Sequence, residues 1–173
     1  STATISNTSK FTPALIDKLV AKAKKVNPII WPVRVNGKDW YVVLLHTDVG
    51  YDLRRDSEWQ QAQREANVRE DMNHPIFNGA LGFWGGAVIH EHVNVPTATN
   101  WGSGSDQPGA SNMFFGKQAG CFAWGSRPEA WEKEFDYGAR IGFAIGAIWA
   151  MKKAIFNSND YAFMSARTYR TNN

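Results

Sequence analysis

The dipeptide Asn36-Gly37, set between Val33-Arg34-Val35 and Lys38-Asp39-Trp40-Tyr41, constrains this chain more than any other feature. Both residues tolerate the positive φ that a two-residue hairpin turn requires, and the flanks alternate, so two antiparallel strands are expected. The turn also sets their register. Val35 faces Lys38, Arg34 faces Asp39 as an opposite-charge pair, and Val33 faces Trp40 as a branched-aromatic pair. The second strand runs on through Val42-Val43-Leu44-Leu45, an unbroken apolar stretch that predicts burial on both faces.

Upstream, the spacing predicts a helix from about Thr12 to Lys25. Thr12 can cap its free amides, Pro13 suits the first turn, and Leu15, Ile16, Leu19, Val20 and Ala23 form the apolar face. Asp17 early and Lys22, Lys24 and Lys25 late suit the helix dipole, and Asn27-Pro28 stops the helix. Downstream, Asp48 can cap a short helix through Leu53. Asp56-Ser57 can start another that turns Trp59, Ala62 and Ala66 inward, and Asn73-His74-Pro75 then breaks regular structure. A loop over 77–82 leads into a strand from about Ala87 to Val95, closed by Pro96. Thr97 to Ser111, rich in small polar residues, reads as a loop anchored only by Trp101, mobile or held by a neighbour.

A short strand at Met113–Phe115 and a short helix at Lys117–Ala123 come next. The stretch from Trp131 to Asn157 is strand-like, with Ile141, Phe143, Ile145, Trp149 and Met151 on one parity and Gly142, Ala144, Gly146 and Ala150 on the other. Its apolar core is about half the roughly 20 residues of a membrane helix, so the Gly142-x-x-x-Gly146 spacing is not read as a transmembrane motif. After a turn at Asn157–Asp160, alternation from Tyr161 to Tyr169 predicts a final strand pairing back.

Composition enters where partners are concerned. Eight Trp, ten Phe and five Tyr are more flat contact surface than one core needs, which points to assembly. The net charge of +3 arises mainly from Lys18, Lys22, Lys24 and Lys25, read as a solvated helix face and not a nucleic-acid groove. Cys121, in a small-residue and aromatic run, is expected to be a buried inert thiol, and a single cysteine fits a reducing cytoplasm. Asn7-Thr8-Ser9 matches a glycosylation sequon that no signal peptide accompanies. The Ser/Thr/Asn-rich start at Ser1 is not an export signal and is expected to be a cut or engineered boundary.

Catalytic apparatus is hard to find. His90 and His92 could share a zinc ion from one strand face with His46 or His74 as a third ligand, which keeps a zinc hydrolase as an alternative. A polar outer face, opposite a core-facing Ile89, Val93 and Val95, is the simpler reading. Gly116-Lys117 and Gly37-Lys38 lack the remainder of a phosphate loop, and no Gly-x-Ser-x-Gly elbow occurs. Glu129, Glu132, Glu134 and Asp136 could furnish paired carboxylates, with tryptophans such as Trp101 gripping sugars, hence a carbohydrate-binding or -cleaving module as a second alternative. A charged strand edge meeting basic residues such as Arg140 or Lys152 of a neighbour is favoured over catalysis. No catalytic, cofactor or metal residue is therefore assigned.

Several segments, in order along the chain, resemble one family. They are Pro32-Val33-Arg34-Val35-Asn36-Gly37, Tyr41-Val42-Val43-Leu44-Leu45-His46, Asp52-Leu53-Arg54, the "NPIFTGALG"-like run from Asn73 to Gly82, and Val88-Ile89-His90-Glu91 with Val95-Pro96. Glu134-Phe135-Asp136-Tyr137-Gly138, Gly146-Ala147-Ile148-Trp149, Lys152-Lys153 and Phe156-Asn157 complete the set. The family is the tailed-phage major capsid protein group that includes the capsid of phage N-four, a branch of the Hong Kong 97 fold. The resemblance implies an α+β fold, a flexible segment 1–10, an axial-domain-like region 11–126, and a β-rich region 127–173 returning to the peripheral domain. It further implies a virion protein assembled in the bacterial cytoplasm, without enzymatic activity or cofactor. Its partners would be its own copies in pentamers and hexamers, scaffolding and portal proteins, and weakly held double-stranded DNA, with no membrane. The N-terminal arm, extended loop and much of the spine helix would lie upstream.

Overall fold

The computed structural model describes residues 2–65 and 79–171. In chain order its elements are helix α1 (Pro13–Lys25), strands β1 (Val33–Val35) and β2 (Lys38–Leu45), helices α2 (Thr47–Arg54) and α3 (Ser57–Glu65), and strands β3 (Gly82–Trp84), β4 (Ala87–Glu91), β5 (Thr97–Trp101) and β6 (Gln107–Phe115). Strands β7 (Gly120–Phe135), β8 (Arg140–Lys153), β9 (Ile155–Phe156), β10 (Asn159–Asp160) and β11 (Phe163–Tyr169) follow. This is the α+β class expected. Two compact units divide the chain, Ser1–Lys117 with Ala162–Asn173, and Gln118–Tyr161.

The first unit is built on the predicted hairpin. β1 and β2 pair with Val33 opposite Trp40, Arg34 opposite Asp39 and Val35 opposite Lys38, with Asn36 and Gly37 both at positive φ. Among the described residues, seven strands share one sheet in the order β11-β6-β2-β4-β3, with β1 beside β2 and β5 beside β6. β2 lies parallel to β4, an arrangement that requires a crossover, and α2 and α3 lie in that connection. Burial was expected on both faces of β2, and the two faces differ. Tyr41, Val43 and Leu45 are buried, whereas Trp40, Val42 and Leu44 are half-buried. On the buried face Tyr41 packs against Phe114 with ring centroids 5.0 Å apart; on the other, the pairs Trp40–Phe83 and Phe115–Phe163 shield the sheet only partly.

Local capping departs from the sequence reading in two places. Thr12 offers no side-chain cap to α1, whose first turn already has Pro13 in place of a donor. Asp17 instead accepts a hydrogen bond from the Trp84 indole at 3.1 Å. For α2 the cap is His46, not Asp48: its Nδ1 accepts the Asp48 amide at 3.2 Å. Asp56 caps α3 as expected, accepting from the amides of Glu58 and Trp59. Ala66, His74 and the 73–78 part of the family-like run lie outside the described residues.

Three stretches expected as loop or helix are strands. Gly85 and Gly86, both at positive φ, close a β3–β4 hairpin within the expected lead-in to one strand. That strand also stops at Glu91, so Val93 is exposed while Ile89 and Val95 are buried. The expected loop 97–111 contains β5 and the start of β6, because Trp101 lies where a Cβ on Gly109 would stand and so fixes the pair without apolar alternation. The expected helix at Lys117–Ala123 is instead a turn followed by the start of β7 at Gly120, since Phe122 and Trp124 find cross-strand partners in Met151 and Trp149.

The final strand β11 does pair back, but onto β6, from Phe163 opposite Phe115 to Tyr169 opposite Gly109. Its buried Thr168 meets buried Asn112 through a 2.8 Å hydrogen bond. Within the segment expected to be flexible, residues 2–10 make specific contacts. Ile5 is buried, Thr2 O accepts from Gly102 N at 2.9 Å, and Ser9 O accepts from Tyr169 N at 2.9 Å.

A candidate assembly surface

The second unit is a two-stranded ribbon of β7 and β8 with a small β9–β10 hairpin. Its register runs from Gly120 opposite Lys153 to Phe135 opposite Arg140. Two irregularities, between Trp124 and Ser126 and between Ser126 and Glu129, give β7 extra residues there. Pro128, which has no amide to donate, falls in this bulged stretch.

Side-chain alternation divides the ribbon into two unlike faces. One carries Ile141, Phe143, Ile145, Trp149 and Met151 of β8 with Phe122 and Trp124 of β7, joined by a stack of Phe122 on Trp149 at 5.8 Å. All of these are exposed, Phe143 at 75% and Ile145 at 81%. The opposite face explains the glycine spacing in β8. A Cβ on Gly146 would stand 2.9 Å from the Trp131 ring, and one on Gly142 2.8 Å from the Phe135 ring. The glycines thus let two aromatic rings lie flat over the neighbouring strand.

The acidic residues are distributed by the same alternation. Glu132 and Glu134 oppose Phe143 and Ile141 on the bulky face, whereas Glu129 opposes Gly146 on the other. Asp136, in the terminal turn, pairs with Arg140 of its own chain at 3.4 Å. The four carboxylates do not converge on one centre. Trp101, in the first unit, is committed to packing over Gly109.

His90 is half-buried near the end of β4. His92 lies beyond the strand, exposed, with Nδ1 accepting the Asn94 amide at 3.1 Å. His46 is buried and its Nδ1 is engaged by the α2 cap. Among the described residues, no group of three His, Cys, Asp or Glu side chains could hold a metal ion. Cys121 is exposed, opposite Lys152, and not buried as expected, because its ribbon has no second layer among the residues of its own unit.

A side-chain cluster in the first unit escaped the sequence reading. The Asp52 carboxylate, its side chain 4% exposed, accepts from Lys10 Nζ at 3.0 Å, the Thr171 amide at 3.1 Å and Thr171 Oγ1 at 2.7 Å. Arg170 reaches Asp48 at 2.6 Å. These bonds fasten both ends of the first unit to α2, and partners 119 positions apart leave no local signal.

Known proteins share this architecture. A family model described as phage capsid protein matches residues 1–169. The major capsid protein of Pseudomonas phage KPP25 is 32% identical over 128 residues, 70% of this chain and 34% of that protein. Among solved structures, the capsid of Ralstonia phage GP4 aligns with a TM-score of 0.83 at 34% identity, covering 99% of this chain and 50% of that one. The cyanophage Pam1 capsid aligns with a TM-score of 0.79 over 97% of this chain and 49% of that one, sharing the fold at 22% identity. The chain therefore spans half or less of the length of each of these relatives.

Proposed function

The chain belongs to the phage capsid protein family, and from that premise we propose that it is part of a shell-building subunit of an icosahedral virion, structural and not catalytic. Copies associate into pentamers and hexamers that enclose double-stranded DNA, with scaffolding and portal proteins as partners during assembly in the host cytoplasm. DNA contact is weak and independent of sequence.

One observation supports this reading most directly: the uncovered apolar face of the β7–β8 ribbon. A two-stranded ribbon is marginal alone, and a contiguous face of this kind marks an interaction surface. Covering seven large side chains is worth on the order of 10 kcal/mol at about 1.5–3 kcal/mol each, less the cost of ordering the partner. In this proposal the sheet-bearing first unit takes the axial role and the ribbon the peripheral one. That moves the boundary expected between 126 and 127 to the junction of the two units, and assigns β11 to the axial side.

The test is electron microscopy of cell extracts containing the full-length parent protein, alone and with its scaffold. Closed shells or capsomer rings support the subunit reading. Monomers alone under both conditions overturn it.

A further inference from the structure

Rings of identical copies require two different patches on each copy that match one another, because the contact is head-to-tail. The structure offers such a pair. In the first unit, Trp31 is 60% exposed and lines a cleft of about 290 Å3 with Pro32, Arg34, Asp39 and Lys117. The backbone beneath it is firmly held. Tyr41 Oη donates to Ile30 O at 2.9 Å, Lys117 N donates to Trp31 O at 2.7 Å, and any side chain on Gly116 would collide with Ile30 and Trp31. A tryptophan presented on a rigid backbone beside arginine has the character of a binding hot spot, with little ordering left to be lost on association. Arg34 meets Asp39 at 3.9 Å with both side chains mostly exposed, so its guanidinium is accessible to an incoming carboxylate.

The matching feature is the tip of the ribbon. Asp136, Tyr137 and Gly138 all have positive φ, and this turn holds the Tyr137 ring fully exposed. Between Glu129 and Arg140 the tip carries four carboxylates against two cations. An aromatic projection on a tip of net negative charge is thus complementary in character to an aromatic cleft edged by Arg34 and Lys117. We propose that the ribbon tip of one copy, led by Tyr137, docks into the Trp31 cleft of a neighbouring copy. The contact rests on the capsid-subunit reading and specifies one of its interfaces. A cationic cleft with a tryptophan could also stack a nucleobase. Asp39 in its lining and the acidic tip elsewhere in the same chain favour a second copy.

The test uses the full-length parent with Cys121→Ser, to remove the exposed thiol, and two separately tagged populations, one with Trp31→Cys and one with Tyr137→Cys. Co-assembled particles, oxidised and then dissociated, are expected to yield a disulfide joining the two tags, absent from particles made of either variant alone. Particles of normal size without that cross-link overturn the contact and leave the subunit reading standing; an unmodified parent that forms no particles brings down both. Should the cysteine variants fail to assemble, Arg34→Glu with Lys117→Glu is expected to lower particle yield at least tenfold, and adding Glu134→Lys with Asp136→Lys to restore it. No restoration overturns the proposal. So does a charge-reversed cleft that leaves yield intact but lowers retention of DNA, which would make the cleft a nucleic-acid site.

Discussion

Replacing Asp52 by Asn removes one charge and turns one of its two acceptor oxygens into a donor, with almost no change of shape. Thr171 presents an amide and a hydroxyl to this carboxylate and Lys10 an ammonium, so the new NH2 group faces a donor whichever way it is turned. Hydrogen bonds to a charged, buried group are worth about 1.5–3 kcal/mol each. Lys10 is nearly half exposed, which holds its share below about 1 kcal/mol. Adding the bonds to Thr171 gives a loss of about 3 kcal/mol, and at roughly 3 °C per kcal/mol for a chain of this size the melting temperature falls by about 10 °C. Circular dichroism measures the midpoint, and hydrogen exchange shows where the loss falls. Amides of β11 should exchange faster, because Thr171 anchors the end of that strand, while those of the β1–β2 hairpin should change less. Lys10→Met should cost under about 1 kcal/mol. An Asp52→Asn protein melting within about 2 °C of the parent, with β11 exchange unaltered, refutes the anchoring role.

Four further outcomes follow from other parts of the fold. Burial, and secondarily the charge of Asp39, raises the Tyr41 pKa above 10.0. The neutral phenol is therefore the favoured folded form, so stability is intact below pH 10 and declines as pH rises towards the folded-state value; Tyr41→Phe should lose the bond to Ile30 O yet flatten that alkaline decline in chemical denaturation. Gly37→Val places a branched residue at a φ of 76° and should destabilise the first unit by about 1–2 kcal/mol, seen in the same melts. Gly146→Val should cost about 1–3 kcal/mol and shift tryptophan fluorescence by displacing the Trp131 ring, and combining it with Trp131→Ala should cost less than the sum of the two. Cys121 should react with a thiol reagent in the folded, unassembled chain; labelling that requires denaturant contradicts its exposed position.

The sequence was most legible where one short-range rule decided the outcome. Asn36-Gly37 sets a hairpin register through turn geometry alone, and the α1 face follows from the spacing of Ile16, Leu19, Val20 and Ala23, all buried. The Gly85-Gly86 turn also carries a local signal, since paired glycines between two short apolar runs mark a hairpin. Other features had no local trace. β5 and the first half of β6 are polar strands fixed by Trp101 over Gly109, and β7 begins in residues whose partners lie in β8, about 30 positions on. The buried state expected of Cys121 failed for a related reason: an apolar neighbourhood in sequence indicates burial only when a second layer is present. The candidate surface was half legible. Alternation of bulky and small residues in β8 was plain, and the same parity separates Glu129 from Glu132 and Glu134, whereas the pairing of Phe122 and Trp124 with Met151 and Trp149 depends on bulges around Ser126 that no composition rule locates.

The second unit is inserted between two strands that are hydrogen-bonded neighbours, β6 and β11. On a ribosome, β6 would emerge with one backbone edge unfilled and wait for β11 while the whole intervening ribbon is synthesised. At about 5–20 residues per second that delay is roughly 2–10 s, long compared with the microseconds in which a hairpin forms. Throughout that interval the nascent chain displays an open strand edge together with the growing apolar ribbon. In a cell making many copies at once, the vulnerable species is thus the unfinished polypeptide, and the rate of translation through residues 116–162 becomes a determinant of how much folded protein is produced.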